Sequence, residues 1–88
     1  TMAYNRTIGN IKLSVYDKEN HGPPHAHILC EKGKKGRIVI ETLELYNKDT
    51  LPPPCLKTIK EWMETRQDEL LEAWKTARAR QWQEGNKR

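Results

Sequence analysis

The chain has 88 residues, of which 32% are charged, and its 16 Lys and Arg against 12 Asp and Glu give a formal net charge of +4. This length suits one small domain with a modest core, and no apolar run approaches the ~20 residues of a membrane span. The N-terminal segment lacks the apolar stretch of a signal peptide, so we expect none. The mild basic balance is compatible with nucleic acid or with an acidic partner protein.

The chain contains two cysteines, Cys30 and Cys55. Small disulfide-stabilised domains usually carry more, and they are made with a secretion signal. The sequence therefore predicts reduced thiols and a cytoplasmic location.

The first half of the chain has the pattern of an antiparallel meander. In IKLSVY (residues 11–16), apolar and polar residues alternate as in a half-buried strand. Residues 25–30 predict a second strand, and the glycine-containing segment 31–36 predicts a hairpin turn leading to a third strand at 37–41. Residues 44–47 have the composition of a fourth strand, although no Gly, Asn or Pro marks the turn before it.

The second half has a helical pattern that begins after three prolines at 52–54, which cannot donate to a sheet. Apolar residues then recur at the three- and four-residue spacings of an amphipathic helix. Because one straight helix would overhang a domain of this size, and Thr65 and Asp68 fit a capping box, we predict one helix over 54–64 and a second ending near residue 80. One continuous helix is the alternative.

These elements predict a single α+β domain over residues 1–88. A three- to four-stranded antiparallel β-meander at about 8–50 packs on one or two C-terminal amphipathic helices at about 53–80. Residues 81–88 are predicted to be a disordered tail. Trp62 and Trp74 lie on the apolar stripe and are predicted core residues.

All three histidines of the chain lie in the segment HGPPHAH. Strand alternation places His25 and His27 on one face, with Cys30 on the other. Two imidazoles on one face can serve as general base and general acid on a phosphodiester. This predicts His25 and His27 as a catalytic pair, assisted by His21, in a metal-independent ribonuclease.

Two other interpretations of the histidines stay open. His21, His25 and His27 have the makings of a three-histidine site for a divalent transition metal such as zinc, whereas the catalytic interpretation needs no cofactor. Alternatively the histidines are structural, and their rings bond the carbonyl groups of the turn or cap a neighbouring helix.

Basic residues beside the histidines are candidates for binding nucleic acid. Lys34, Lys35 and Arg37 belong to the turn and strand that follow, where they are placed to hold a phosphate. Arg78 and Trp82 are four residues apart on the second predicted helix and are spaced to stack as a cation–π pair. A solvated turn and a basic helix end are the simpler explanations of these charges.

Two motifs resemble a small prokaryotic family known as domain of unknown function 4160. The first is NHGPPHAHI, and the second lies in LPPPCLKTIKEWMETRQDELLEAWKTAR. The matching residues are His21, Pro23, Pro24, His25 and His27, followed by Leu51, Pro52, Trp62, Glu69, Leu70, Leu71 and Trp74. The chain departs from the family pattern at Gly22, where Asn is usual, at Ala26, where Phe is usual, and at Thr42-Leu43, where a Gly is usual.

The resemblance implies a small protein of a toxin–antitoxin-like system or a mobile element, with a cognate small protein encoded by an adjacent gene. Joined with the basic residues, it suggests a module that binds or cuts RNA. A non-enzymatic interaction or inhibitor module with structural histidines is the alternative, and a metal-binding module is a third. The sequence indicates no membrane partner and no particular oligomeric state.

Overall fold

The computed structural model of the chain describes residues 2–16 and 22–86, with side chains described for residues 4–16 and 22–76. Four strands form one antiparallel sheet in the order β1-β2-β3-β4. They are β1 (Met2–Ile8), β2 (Ile11–Tyr16), β3 (His25–Leu29) and β4 (Lys35–Val39). Two helices follow, α1 (Pro53–Glu64) and α2 (Gln67–Asn86). The predicted α+β class is therefore confirmed.

The strands differ from the prediction at both edges of the sheet. β1 pairs with β2 along its length and was not predicted, because Asn5, Arg6 and Thr7 interrupt its apolar pattern. The predicted strand at 44–47 is reduced to a single bridge between Leu45 and Ile38. The fourth strand of the meander is thus supplied by the N-terminus rather than by the segment after β4.

The core lies between one face of the sheet and the two helices. Alternation in β2 and β3 turns Leu13, Val15, Ala26 and Ile28 inward, and each is at most 2% exposed. The facing residues on the helices are Cys55, Ile59, Met63, Leu70 and Trp74. Because both helices pack on this side, the other face of the sheet is left without a helical cover.

The C-terminal half of the chain forms two helices, as predicted, rather than one continuous helix. α1 begins directly after Pro52, and prolines are tolerated in a first helical turn since its amide groups have no intrahelical acceptor. The predicted capping box is wrong, because Thr65 ends α1 and its Oγ1 donates to the carbonyl of Trp62 at 3.3 Å. Gln67 then ties the corner to the sheet by donating from Nε2 to the carbonyl of Ile40 at 2.9 Å.

The second helix is longer than predicted. It continues to Asn86 rather than ending near residue 80, so residues 81–86, predicted to be disordered, belong to α2. The buried part of α2 lies in its first half, where Leu70 is fully buried and Trp74 is 4% exposed. Trp74 is therefore a core residue, as predicted, whereas Trp62 is half-buried beneath the guanidinium of Arg66.

Candidate functional site

The face of the sheet opposite the helices forms a shallow concavity lined by both polar and apolar groups, which we call the open face. Its volume is about 720 Å³. All four strands contribute to it, and one residue comes from the loop after β4. The side chains pointing into it are those of Asn5, Thr7, Lys12, Ser14, Tyr16, His27, Leu29, Lys35, Arg37 and Asp49.

The strand register arranges the open face in rows that run across the sheet. Lys12 is opposite Leu29, which is opposite Lys35. These two lysines are therefore separated by two inter-strand spacings, roughly 10 Å. Both lysines are exposed, and neither forms an ion pair with another described residue. They place two uncompensated positive charges on this face.

The next row carries Ser14, His27 and Arg37 in the same cross-strand order. The Asn5 amide oxygen accepts from the Ser14 hydroxyl at 3.3 Å, so this row extends onto β1. The His27 ring meets the ring of Tyr16 edge-on, with centroids 4.7 Å apart. Amide, hydroxyl and aromatic groups therefore lie between the two lysines and the end of the sheet.

Arg37 is held by a carboxylate from the loop after β4. Its Nε donates to Asp49 Oδ2 at 2.7 Å, its Nη2 donates to Oδ1 at 3.0 Å, and its backbone N–H donates to Oδ2 at 3.0 Å. These hydrogen bonds, aided by the positive charge of Arg37, hold the pKa of Asp49 below its usual value of 3.8. The pair is internally neutral, so the net positive charge of the open face comes from Lys12 and Lys35.

His25 lies at the end of the sheet and is fully buried. Its ring stacks on Tyr46, with centroids 4.8 Å apart and planes inclined by 21°, and lies 4.9 Å from the ring of Trp74 on α2. Nδ1 donates to the carbonyl of Pro23 at 2.9 Å, which places the proton of a neutral ring on that nitrogen. These contacts are of the kind that the structural interpretation of the histidines predicts for His25.

His27 shares the face of His25, as strand alternation predicts, and the two ring centroids are 5.4 Å apart. His27 is half-buried, and the Nε2 atoms of both rings are shielded from solvent. A general acid or base must reach the substrate proton directly or through one water. The geometry therefore favours binding over proton transfer, and the catalytic pairing stays a prediction.

The basic turn is divided between two sides of the sheet. Lys35 and Arg37 point into the open face, whereas Lys34 lines a second cavity of about 540 Å³ beside α1. Alternation along the strand explains the division, since adjacent residues point to opposite faces. Lys34 is therefore not placed to act together with Lys35 on one phosphate.

The two cysteines form a disulfide, so the prediction of reduced thiols is wrong. Cys30 directly follows β3, and Cys55 lies in the first turn of α1, 25 residues later. Their Cα atoms are 6.5 Å apart, within the range a disulfide spans. Sequence reasoning missed the pairing because two isolated cysteines carry no information on which segments the fold brings together.

Several predicted site residues fall outside what the structure describes. His21 is outside the described residues, and Arg78 and Trp82 belong to α2 but to the part whose side chains are not described. Among the described residues, no three His, Cys, Asp or Glu side chains converge as metal ligands. The three-histidine metal site and the Arg78–Trp82 patch therefore stay predictions.

The helices of the described part of the chain do not combine the length and apolar character needed to cross a membrane.

The match to a family model covers most of the elements described above. Residues 10–75 match the model named Domain of unknown function (DUF4160). The chain belongs to this family. In the DUF4160 chain, the matched range includes β2, β3, β4, α1 and the first half of α2, and it begins after β1. No curated protein and no solved structure matches the chain.

Of the side chains in the open face of this DUF4160 protein, sequence reasoning named only His27, Lys35 and Arg37 as site residues. Lys12, Ser14 and Tyr16 are the polar members of the alternating strand IKLSVY, so their shared face was already visible in the pattern. Asn5 was missed because β1 was not predicted. Asp49 had no signal at all, because its position depends on how the loop after β4 folds back onto Arg37.

Proposed function

We propose that this DUF4160 protein binds single-stranded RNA through the open face of its sheet, without cutting it. The observation that carries the proposal is the pair of exposed, uncompensated lysines, Lys12 and Lys35, on an uncovered face. Their separation of roughly 10 Å, two inter-strand spacings, lets one extended strand of nucleic acid contact both. Phosphate contacts of this kind supply most of the non-specific affinity for nucleic acid.

The residues beside the lysines can stack on a nucleic-acid base and form hydrogen bonds with it. The ring of Tyr16 lies in the open face next to His27, and an aromatic ring stacks on any base with a contribution of about 1–3 kcal/mol. The amide of Asn5 and the hydroxyl group of Thr7, both exposed, offer donors and acceptors for base edges. A sheet surface with aromatic and polar groups suits single strands, whose bases are free to splay outward.

An acidic protein is the competing ligand for the same charges. The toxin–antitoxin-like setting suggested by the family resemblance would supply one, as a cognate small protein. The aromatic and amide groups beside the lysines favour RNA, since they add nothing to the attraction of carboxylates by Lys12 and Lys35. We therefore treat an acidic protein as an outcome that the binding experiment must separate from RNA.

The experiment measures fluorescence anisotropy of a labelled single-stranded RNA of about ten nucleotides. The charge reversals Lys12→Glu and Lys35→Glu are combined in one variant. The control variant combines Lys57→Glu and Lys75→Glu, which changes the charge equally at two exposed helix positions. We expect the first variant to weaken binding by about tenfold or more, and the control by less than about threefold, since only the first reverses direct phosphate contacts.

Two further measurements distinguish the ligands. If Lys12 and Lys35 each neutralise a phosphate, Lys12→Ala with Lys35→Ala lowers the slope of log affinity against log salt by about 1.4. Tyr16→Ala weakens RNA binding by about tenfold but leaves binding of poly-glutamate unchanged. Equal losses in the two charge-reversed variants, or poly-glutamate binding as tightly as RNA, would contradict the proposal. Shortening of the RNA by wild-type protein but not by His27→Ala would restore the ribonuclease hypothesis.

A further inference from the structure

The disulfide Cys30–Cys55 is the covalent link between the sheet layer and the helix layer. Cys30 also begins the turn that leads into β4, because its backbone N–H donates to the carbonyl of Lys34 at 2.7 Å. Cys55 lies in the first turn of α1, directly after the three prolines. One bond therefore holds two irregular segments, the turn at 30–34 and the start of α1, against each other.

The disulfide lies at the edge of the core, in the wall of a cavity. Both cysteines line the second cavity of about 540 Å³, whose rim carries two lysines, Lys32 and Lys34, and one carboxylate, Glu31. Cys30 is 6% exposed and Cys55 is 8% exposed, whereas Ile59, one turn further along α1, is fully buried. A thiolate is anionic, so a basic rim favours its approach to the two sulfur atoms. The bond lies at the edge of the core rather than inside it.

The placement of Cys55 defines how the bond would open. The N-terminal end of a helix stabilises a negative charge, so the Cys55 sulfur is the better leaving group of the two. A thiolate of an external dithiol attacks Cys30 Sγ, the S–S bond breaks, and Cys55 Sγ leaves with the electron pair. The second thiol of the dithiol then displaces Cys30. Overall the protein gains two electrons and two protons, and the dithiol becomes a disulfide.

The rest of the core does not depend on this bond. Ile59, Met63 and Leu70 are fully buried against the sheet, and Gln67 anchors the corner between the helices to the end of β4. Opening the disulfide leaves these contacts in place and frees the segments at 30–34 and 52–58. The same segments line the second cavity, so reduction changes the walls of that cavity.

We propose that Cys30–Cys55 is a reversible redox latch that controls the local order of the turn at 30–34 and of the start of α1 while the domain stays folded. The proposal is independent of RNA binding, because neither cysteine lies on the open face. A dithiol reductant opens the latch, and an oxidant of the disulfide class closes it.

Hydrogen exchange followed by mass spectrometry tests the latch on the full chain, oxidised and after treatment with dithiothreitol. We expect no titratable thiols before reduction and two after it, together with at least about tenfold faster exchange at 31–34 and 55–58. Exchange in β2 and at 60–64 should stay unchanged, and the melting temperature should fall by roughly 10 °C. The double variant Cys30→Ser with Cys55→Ser should have the exchange rates and melting temperature of the reduced protein, and dithiothreitol should not change them.

Three results would overturn the latch. The first is two free thiols in protein exposed to a disulfide oxidant, and the second is unchanged exchange at 31–34 and 55–58 after reduction. The third is faster exchange throughout β2 and α1, in the reduced protein or in the double serine variant, which would make the bond a requirement for folding. Recovery of slow exchange after reoxidation supports the reversible form.

Discussion

His25 and Tyr46 stack almost in parallel, with ring centroids 4.8 Å apart, and together they join the core to the open face. The guanidinium of Arg37 lies over the ring of Tyr46, 4.6 Å from its centroid. The ring of Trp74 lies 4.9 Å from the ring of His25 on the core side. A histidine from the conspicuous HGPPHAH segment is therefore part of the packing between the sheet and α2. Its neighbour His27 is the one that reaches the open face.

His25→Ala should lower the free energy of unfolding by about 2–4 kcal/mol, because it removes a fully buried ring and leaves a cavity between Tyr46 and Trp74. His27→Ala, at a half-buried position, should cost less than about half as much. Urea denaturation of the two variants measures the difference. Equal stability of both variants would show that the stacking contacts of His25 do not hold the end of the sheet.

Gly22 and Gly9 offer a matched test of the contact at Tyr46. Both have a positive φ, +68° and +60°, so replacement by Ala costs about 1 kcal/mol at each position from backbone strain alone. A Cβ at Gly9 would meet open space, whereas one at Gly22 would overlap Tyr46 Oη. Because the His25 stack restrains Tyr46, Gly22→Ala should cost about 1–3 kcal/mol more than Gly9→Ala in urea denaturation. A smaller cost at Gly22 would mean that Tyr46 moves freely.

The ion pair of Arg37 and Asp49 predicts a specific loss of stability in acid. The pKa of Asp49 is lower in the folded chain than its usual 3.8, so its stabilising contribution is complete above that pH and is lost as the pH falls through the folded value. Asp49→Asn should cost about 1–2 kcal/mol at about pH 7 and less at about pH 2.5. Urea denaturation at both pH values gives the comparison.

Glu41→Gln, at an exposed carboxylate, is the control for the acid experiment. Its cost should be near zero at about pH 7, since surface substitutions rarely exceed about 0.5 kcal/mol. An Asp49→Asn penalty that stays constant down to about pH 2.5 would contradict a role for the ionised carboxylate.

Tyr4 should ionise at a higher pH than an ordinary tyrosine does. Burial, then the hydrogen bond to Glu69 and the negative charge of that residue, raise the pKa of Tyr4 to about 12. Since the folded state holds this proton more tightly than the unfolded state does, the contribution to stability is complete below pH 10 and is lost between 10 and about 12. Ultraviolet titration should show one tyrosinate appearing near pH 12.

Tyr4→Phe identifies that late transition. The variant should lose the step near pH 12 and about 1 kcal/mol of stability at about pH 7, because the hydroxyl no longer donates to Glu69. A late step that survives in Tyr4→Phe would belong to another tyrosine and would show that the link between β1 and α2 is weaker than the structure indicates.

Predictions from the sequence were most accurate for elements whose structure is determined by a single local pattern. Alternation in residues 11–16 predicted β2, and alternation in residues 25–30 predicted the shared face of His25 and His27. The apolar stripe together with the size limit predicted two helices. The prediction failed where contacts distant in sequence decide. β1 is recognisable as a strand only through its pairing with β2. The Cys30–Cys55 bond forms because the fold brings together two residues that are 25 positions apart in the sequence.

The candidate site shows the same division. Strand alternation placed Lys12 and Tyr16 on one face, but of the two lysines only Lys35 was predicted as a site residue. The burial of His25 was not predicted, because it depends on Trp74 and Tyr46, which come from two other segments. Thr65 illustrates a local rule overridden by its surroundings. It fits the pattern of a helix start, yet in the structure it ends α1. Gln67 forms a hydrogen bond with the sheet, and Arg66 forms one with the last turn of α1.

Because both helices cover the same side of the sheet, the residues that maintain folding and the residues that we propose to meet a ligand are almost separate sets. Asn5, Thr7, Lys12 and Lys35 are all exposed and bear little of the packing. A lineage can therefore exchange these four residues, and with them the molecule it recognises, while the architecture stays intact. Among related proteins, ligand preference should therefore change faster than the fold does.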